Sequence, residues 1–108
     1  MKIRTLLAVA ILALTPAAVL AQNDAAKQAF MDAHHKMMAA MEPMMPSGNA
    51  DKDFVTMMIP HHQGAIDMAE AELKYGKDPE LLKMAQEIID AQKAEIAKMQ
   101  DWLSKNGG

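Results

Sequence analysis

Two short runs hold the side chains most able to do chemistry. His34-His35-Lys36-Met37-Met38 comes first, and Met57-Met58-Ile59-Pro60-His61-His62 follows as nearly its reverse. Imidazole and thioether together make a soft donor set. Imidazole suits copper in either oxidation state, and thioether favours copper(I). Cysteine is absent, which excludes thiolate metal sites, thiol catalysis and disulfides. The chain has 12 methionines but only one Trp, one Tyr and two Phe, so methionine stands in for much of the usual aromatic core filler. Such a bias fits either a pliable core or a soft metal site, and spacing must decide between them. Met57 and His61 are i, i+4, as are Met58 and His62, while His34 reaches Met37 at i+3 and Met38 at i+4. Residues so spaced share a face only on a helix.

Three helices are predicted. The first spans Asp24 to about Glu42, with Phe30, His34, Met37, Met41 and Met44 on one face. Pro43 and the run Pro46-Ser47-Gly48-Asn49 break it. The second spans about Asp51 to Tyr75, with Phe54, Met58, His61, Ala65, Met68, Glu72 and Tyr75 in a 4-3 repeat. Pro60 inside it removes a backbone hydrogen bond and predicts a kink beside the histidine pair, and Gly76 is its C-cap. The third begins at the N-cap Asp78 with Pro79 and Glu80 in its first turn. It carries the stripe Leu82, Ala85, Ile89, Gln92, Ile96, Met99 and Leu103, and Asn106-Gly107-Gly108 closes it. No strand-like alternation of useful length occurs. The fold class is therefore all-α, an antiparallel bundle of three helices per chain, alone or doubled by self-association.

Closing the first hairpin at residues 47–48 sets position i opposite about 95 minus i, because both helices rise about 1.5 Å per residue. His34 then meets His61, and Met37 and Met38 meet Met58 and Met57. Closing the second hairpin at residue 77 sets i opposite about 154 minus i. His62 then meets Gln92, and Val55 meets Met99. Gln92 interrupts an apolar stripe and calls for a polar partner, for which a histidine is suited. Met31 and Met84 have no histidine at helical spacing and read as packing. Catalytic readings find little support, so no enzyme is expected. The chain lacks the Glu-x-x-His pairs of di-iron bundles, glycine-rich phosphate loops and Gly-x-Ser-x-Gly elbows.

The first 21 residues read as a secretory signal: Lys2 and Arg4, an apolar run from Leu6 to Leu14 too short to span a bilayer, then Pro16 and Val19-Leu20-Ala21. Cleavage after Ala21 would leave 87 of the 108 residues as one domain, 22–108, in the periplasm or outside the cell. Removing Lys2 and Arg4 takes the net charge from −3 to about −5. That charge argues against nucleic acid and against electrostatic docking to anionic lipid. No membrane contact is expected after cleavage.

The stretch from Asp53 to Ala69, with Met57-Met58-Ile59-Pro60-His61-His62-Gln63-Gly64 at its centre, resembles the signature of the exported bacterial family catalogued as domain of unknown function 305. Ala85-Gln86-Glu87-Ile88-Ile89 through Gln92, Glu95-Ile96, Met99 and Trp102-Leu103 is similar to that family's second block. The resemblance implies a ferritin-like helical bundle. Its CopM-like members imply periplasmic copper binding and copper resistance, with Met57, Met58, His61, His62, Met68 and Met99 as ligands. His34, His35, Met37, Met38 and Met41 join that set on the hairpin geometry alone. The expected function is a copper(I)/copper(II) chaperone, buffer or resistance factor, with a homodimer and a copper-handling protein as partners. Its rivals are a Met-rich interaction module without metal and a methionine-based oxidant scavenger.

Overall fold

Each helix starts where a side chain can accept its orphan amides. Thr15 Oγ1 accepts from Ala18 N at 3.3 Å and opens α1 (Pro16–Met41). Asn49 Oδ1 accepts from Lys52 N at 3.1 Å and opens α2 (Ala50–Tyr75). Asp78 Oδ1 accepts from Glu80 N and Leu81 N at 2.9 and 3.1 Å and opens α3 (Pro79–Lys105). The computed structural model describes residues 10–107, so the Lys2/Arg4 segment and the start of the apolar run lie outside the described residues. α1 begins eight positions before the predicted Asp24. Pro16 does not end structure there but starts it, since a missing N–H costs nothing at a first helical position.

α2 runs unbroken through Pro60. Gly76 caps it in extended backbone, φ −69°, and not in the left-handed form. The glycine is required by crowding instead: an added Cβ would lie 2.1 Å from Glu72 Oε1 and 2.6 Å from Glu72 O.

α1 and α3 each pack against α2, and their backbones do not approach one another. The all-α bundle expected from periodicity is therefore present, with α2 at its centre. A central helix needs two inward stripes. On one side Gly64, Asp67 and Ala71 of α2 face Ala29, Ala33 and Lys36 of α1. On the other, Ile66 and Ala69 cluster with Ala85 and Ile89 of α3, and Ile96 packs against the cluster. The α3 stripe from Leu82 to Leu103 faces inward as predicted, with Ala85 and Ile89 buried. α1 buries only Ala33. Its seam is Ala29, Ala33 and Met37; of the predicted Phe30/His34/Met37/Met41 face, Met37 lies on it, Phe30 and Met41 are half-buried, and His34 is exposed. Small side chains win that seam because they let the two helices approach closely.

The α1–α2 register also departs from a symmetric hairpin. Lys36 Nζ reaches Asp67 Oδ2 at 3.5 Å, and Met37 lies over Gly64, where an added Cβ would come within 2.7 Å of its Sδ. Position i of α1 thus faces about 101–103 minus i on α2. Relative to 95 minus i, the slip is about six to eight positions, or roughly 9–12 Å. The cause lies in residues 42–49. Asp53 accepts hydrogen bonds from Ser47 N (2.8 Å), Ser47 Oγ (2.7 Å) and Gly48 N (3.0 Å). The linker is thereby tied to the first turn of α2 instead of reversing tightly. Donation from the Ser47 backbone and hydroxyl, then from the Gly48 amide, holds the Asp53 carboxyl below its usual value of 3.8.

Candidate metal centre

The slipped register separates the two histidine pairs. His34 lies level with about residues 67–69 of α2, roughly two turns beyond His61. His34 and His35 are both exposed, their ring centroids 6.1 Å apart. The predicted His34–His61 contact and the Met37/Met38–Met58/Met57 contacts are therefore not made. Met37 packs on Gly64 in a groove with Ala40, Pro60 and Ile96. Met38 is exposed and Met41 half-buried. Met57 is half-buried and His61 exposed, on neither inward stripe of α2.

His62, 100° further round the helix, turns inward towards α3. Its Nδ1 meets the Met58 carbonyl oxygen at 3.1 Å. The bond formed is a helical i, i+4 one, and it fixes the ring with Nε2 outward, as a carbonyl partner commonly does for a ligating histidine. Nε2 meets Glu95 Oε2 on α3. Glu95, and not Gln92, is thus the polar partner of His62. The two hairpin arms still match closely in height, because the loop at 76–78 is short. Gln92 lies one turn before Glu95 with its Oε1 buried and without a donor among the described residues.

Around this pair the two helices form a groove lined by Phe54, Met58, His62, Glu95, Lys98 and Met99. Met58/His62 on α2 and Glu95/Met99 on α3 are both i, i+4 pairs. Their convergence sets two sulfurs, one imidazole nitrogen and one carboxylate along a single cleft. Among the described residues no three His, Cys, Asp or Glu side chains gather, so a hard-ligand cage is not what the cleft offers. It offers a soft set with one oxygen. Sequence reasoning named Met58, His62 and Met99 and gave Glu95 no role; Glu95 at i−4 from Met99, on the α3 face turned to α2, was the available signal.

Met68 belongs elsewhere. It is about ten positions along α2 from Met58, roughly 15 Å, and half exposed in an apolar groove with Phe30, Leu81, Met84 and Ile88. Met31 and Met84 were predicted to pack, yet they are 42% and 48% exposed. Methionine in this chain therefore serves the surface more than the core.

A three-helix protein with a Met/His/Glu cleft between its second and third helices is the class this fold and site define. Residues 9–103 match the family described as domain of unknown function (DUF305), and the chain belongs to it. The chain is also 38% identical over 55 residues to uncharacterized protein L153 of Acanthamoeba polyphaga mimivirus. That match covers 51% of this chain and 36% of the viral protein, so the chain spans about a third of its relative's length.

Proposed function

We propose that this protein is exported and binds copper as cargo in the α2–α3 cleft, as a buffer, chaperone or resistance factor and not as an enzyme. The observation that carries the reading is the convergence of Met58, His62 and Met99 with the outward Nε2 of His62. Two thioethers and one imidazole form a donor set of the kind that selects copper(I). The CopM-like resemblance supports the same cargo. No helix among the described residues is long and apolar enough to cross a membrane, and the signal-like N-terminal run supports export to the periplasm. The test is anaerobic titration with copper(I) against a chromogenic chelator. One tight equivalent lost in His62→Ala supports the reading; no binding above that of a methionine-free helical control refutes it.

A second reading has its own observation. Met68, Leu81, Met84 and Ile88 are 49%, 48%, 48% and 36% exposed along one apolar groove. Such a face suits a partner helix or a second copy of the chain. Light scattering of the purified protein tests for the second copy: a monomeric mass at high micromolar concentration removes it.

A further inference from the structure

We infer that Glu95 is the copper(II)-selective ligand of the α2–α3 cleft, holding the metal-facing nitrogen of His62 until an ion displaces it. The inference rests on the copper reading above and adds to it a donor and a second oxidation state.

Three observations carry it. Glu95 Oε2 meets His62 Nε2, the nitrogen left outward by the Met58 carbonyl. Glu95 also makes no other hydrogen bond or ion pair among the described residues, and its side chain is 54% exposed. Its carboxylate can therefore rotate off the ring without leaving a second partner unpaired. Finally, Glu95 shares its α3 face with Met99, and on that wall, beside Lys98, it is the carboxylate the cleft offers a cation.

The chemistry divides the cleft into two overlapping subsets. Met58, His62 and Met99 offer sulfur, nitrogen and sulfur, which suit copper(I). His62 and Glu95 offer nitrogen and a charged oxygen, which suit copper(II). Loading exchanges the His62–Glu95 hydrogen bond for two metal–ligand bonds and releases the proton of that hydrogen bond to solvent; no electron transfer is involved. A purely structural Glu95, clamping α3 onto α2, makes a different prediction: its loss would weaken both ions alike and lower the melting temperature of the empty protein.

The experiment compares the full chain with Glu95→Gln, Glu95→Ala and His62→Ala. Copper(II) affinity is measured by calorimetry against glycine, copper(I) affinity against a chelator under anaerobic reduction, and the copper(II) environment by electron paramagnetic resonance. Circular dichroism verifies the fold of each variant. Both Glu95 variants should lose about 10-fold or more in copper(II) affinity, the usual scale for a partner of a ligating histidine. Their resonance spectra should shift while copper(I) affinity stays within about threefold. Unchanged copper(II) affinity and spectrum in both would overturn the assignment of Glu95. Equal loss for both ions, with a lowered melting temperature, would overturn it in favour of the clamp. In either case a His62→Ala variant that loses both ions leaves the copper cleft standing. A His62→Ala variant that keeps both ions overturns the cleft and Glu95 together.

Discussion

Replacing methionines by leucine in pairs distinguishes the two possible meeting points of the helices. Leucine keeps the volume and removes the sulfur, so each swap should cost the empty protein less than about 1.5 kcal/mol. Met58 and Met99 line the α2–α3 cleft. Met37 lies on Gly64, about six positions or roughly 9 Å along α2 from Met58, and Met38 is 50% exposed. With free copper(I) a hundredfold above its dissociation constant, mass action adds about 2.7 kcal/mol to the folded state. At 4–8 °C per kcal/mol, this raises the melting temperature by about 10–20 °C. If losing both cleft sulfurs weakens binding by about 100-fold, the gain falls to RT ln 2, about 0.4 kcal/mol, or roughly 2–3 °C. Met58→Leu/Met99→Leu should therefore show almost none of the metal-induced shift, and Met37→Leu/Met38→Leu nearly all of it. The assay is thermal unfolding by circular dichroism, with and without copper(I), under anaerobic reducing conditions. Equal shifts in the two double variants would refute the cleft. A shift lost only with Met37 and Met38 would restore the symmetric hairpin.

Three further outcomes follow from the packing. Ile66 is 2% exposed at the centre of the α2–α3 cluster, so Ile66→Ala should cost about 2–5 kcal/mol in urea denaturation. Gly64→Ala sets a Cβ 2.7 Å from Met37 Sδ; overpacking of about 1–3 kcal/mol, less about 1 kcal/mol of gained helix propensity, should leave it neutral to about 2 kcal/mol destabilised by the same measurement. Asp53 has a carboxyl held below 3.8, so its ties to Ser47 and Gly48 should persist above that pH and be lost only as pH falls through the depressed value. Amide exchange of Ser47 and Gly48 would show this, and loss of protection already at pH 5 would contradict it.

α3 was fully legible in the sequence, because a helix packed on one side writes a single stripe, Leu82 to Leu103. α2 was legible in extent but not in facing. Its one predicted stripe chose His61, whereas a central helix has two inward faces and His62 lies on the one toward α3. On α1 bulk does not track burial: Ala33 is buried opposite Ala71, the larger His34 beside it is exposed, and Phe30 and Met41 are only half-buried. The register error had a nonlocal cause. Nothing in the periodicity of either helix says that Asp53 will capture Ser47 and Gly48, although an acid four residues after an Asn N-cap and close to a Ser-Gly pair was a usable hint. The cleft was three-quarters legible: three of its four donors were named, and the carboxylate needed the true α2–α3 register.

The alanine seam has a consequence for how the molecule comes apart. α1 buries one small residue and makes its backbone contacts with α2 alone, whereas the α2–α3 pair holds the isoleucine cluster and the cleft. The first arm can thus detach as a unit at low cost while the hairpin that carries the donors stays closed. Its amides should exchange with solvent as one block, ahead of those around Ile66 and Ile89. A released arm on an eight-residue tether can also settle on the α2 of a neighbouring molecule, and two chains that trade arms in this way would form a swapped pair with both clefts intact.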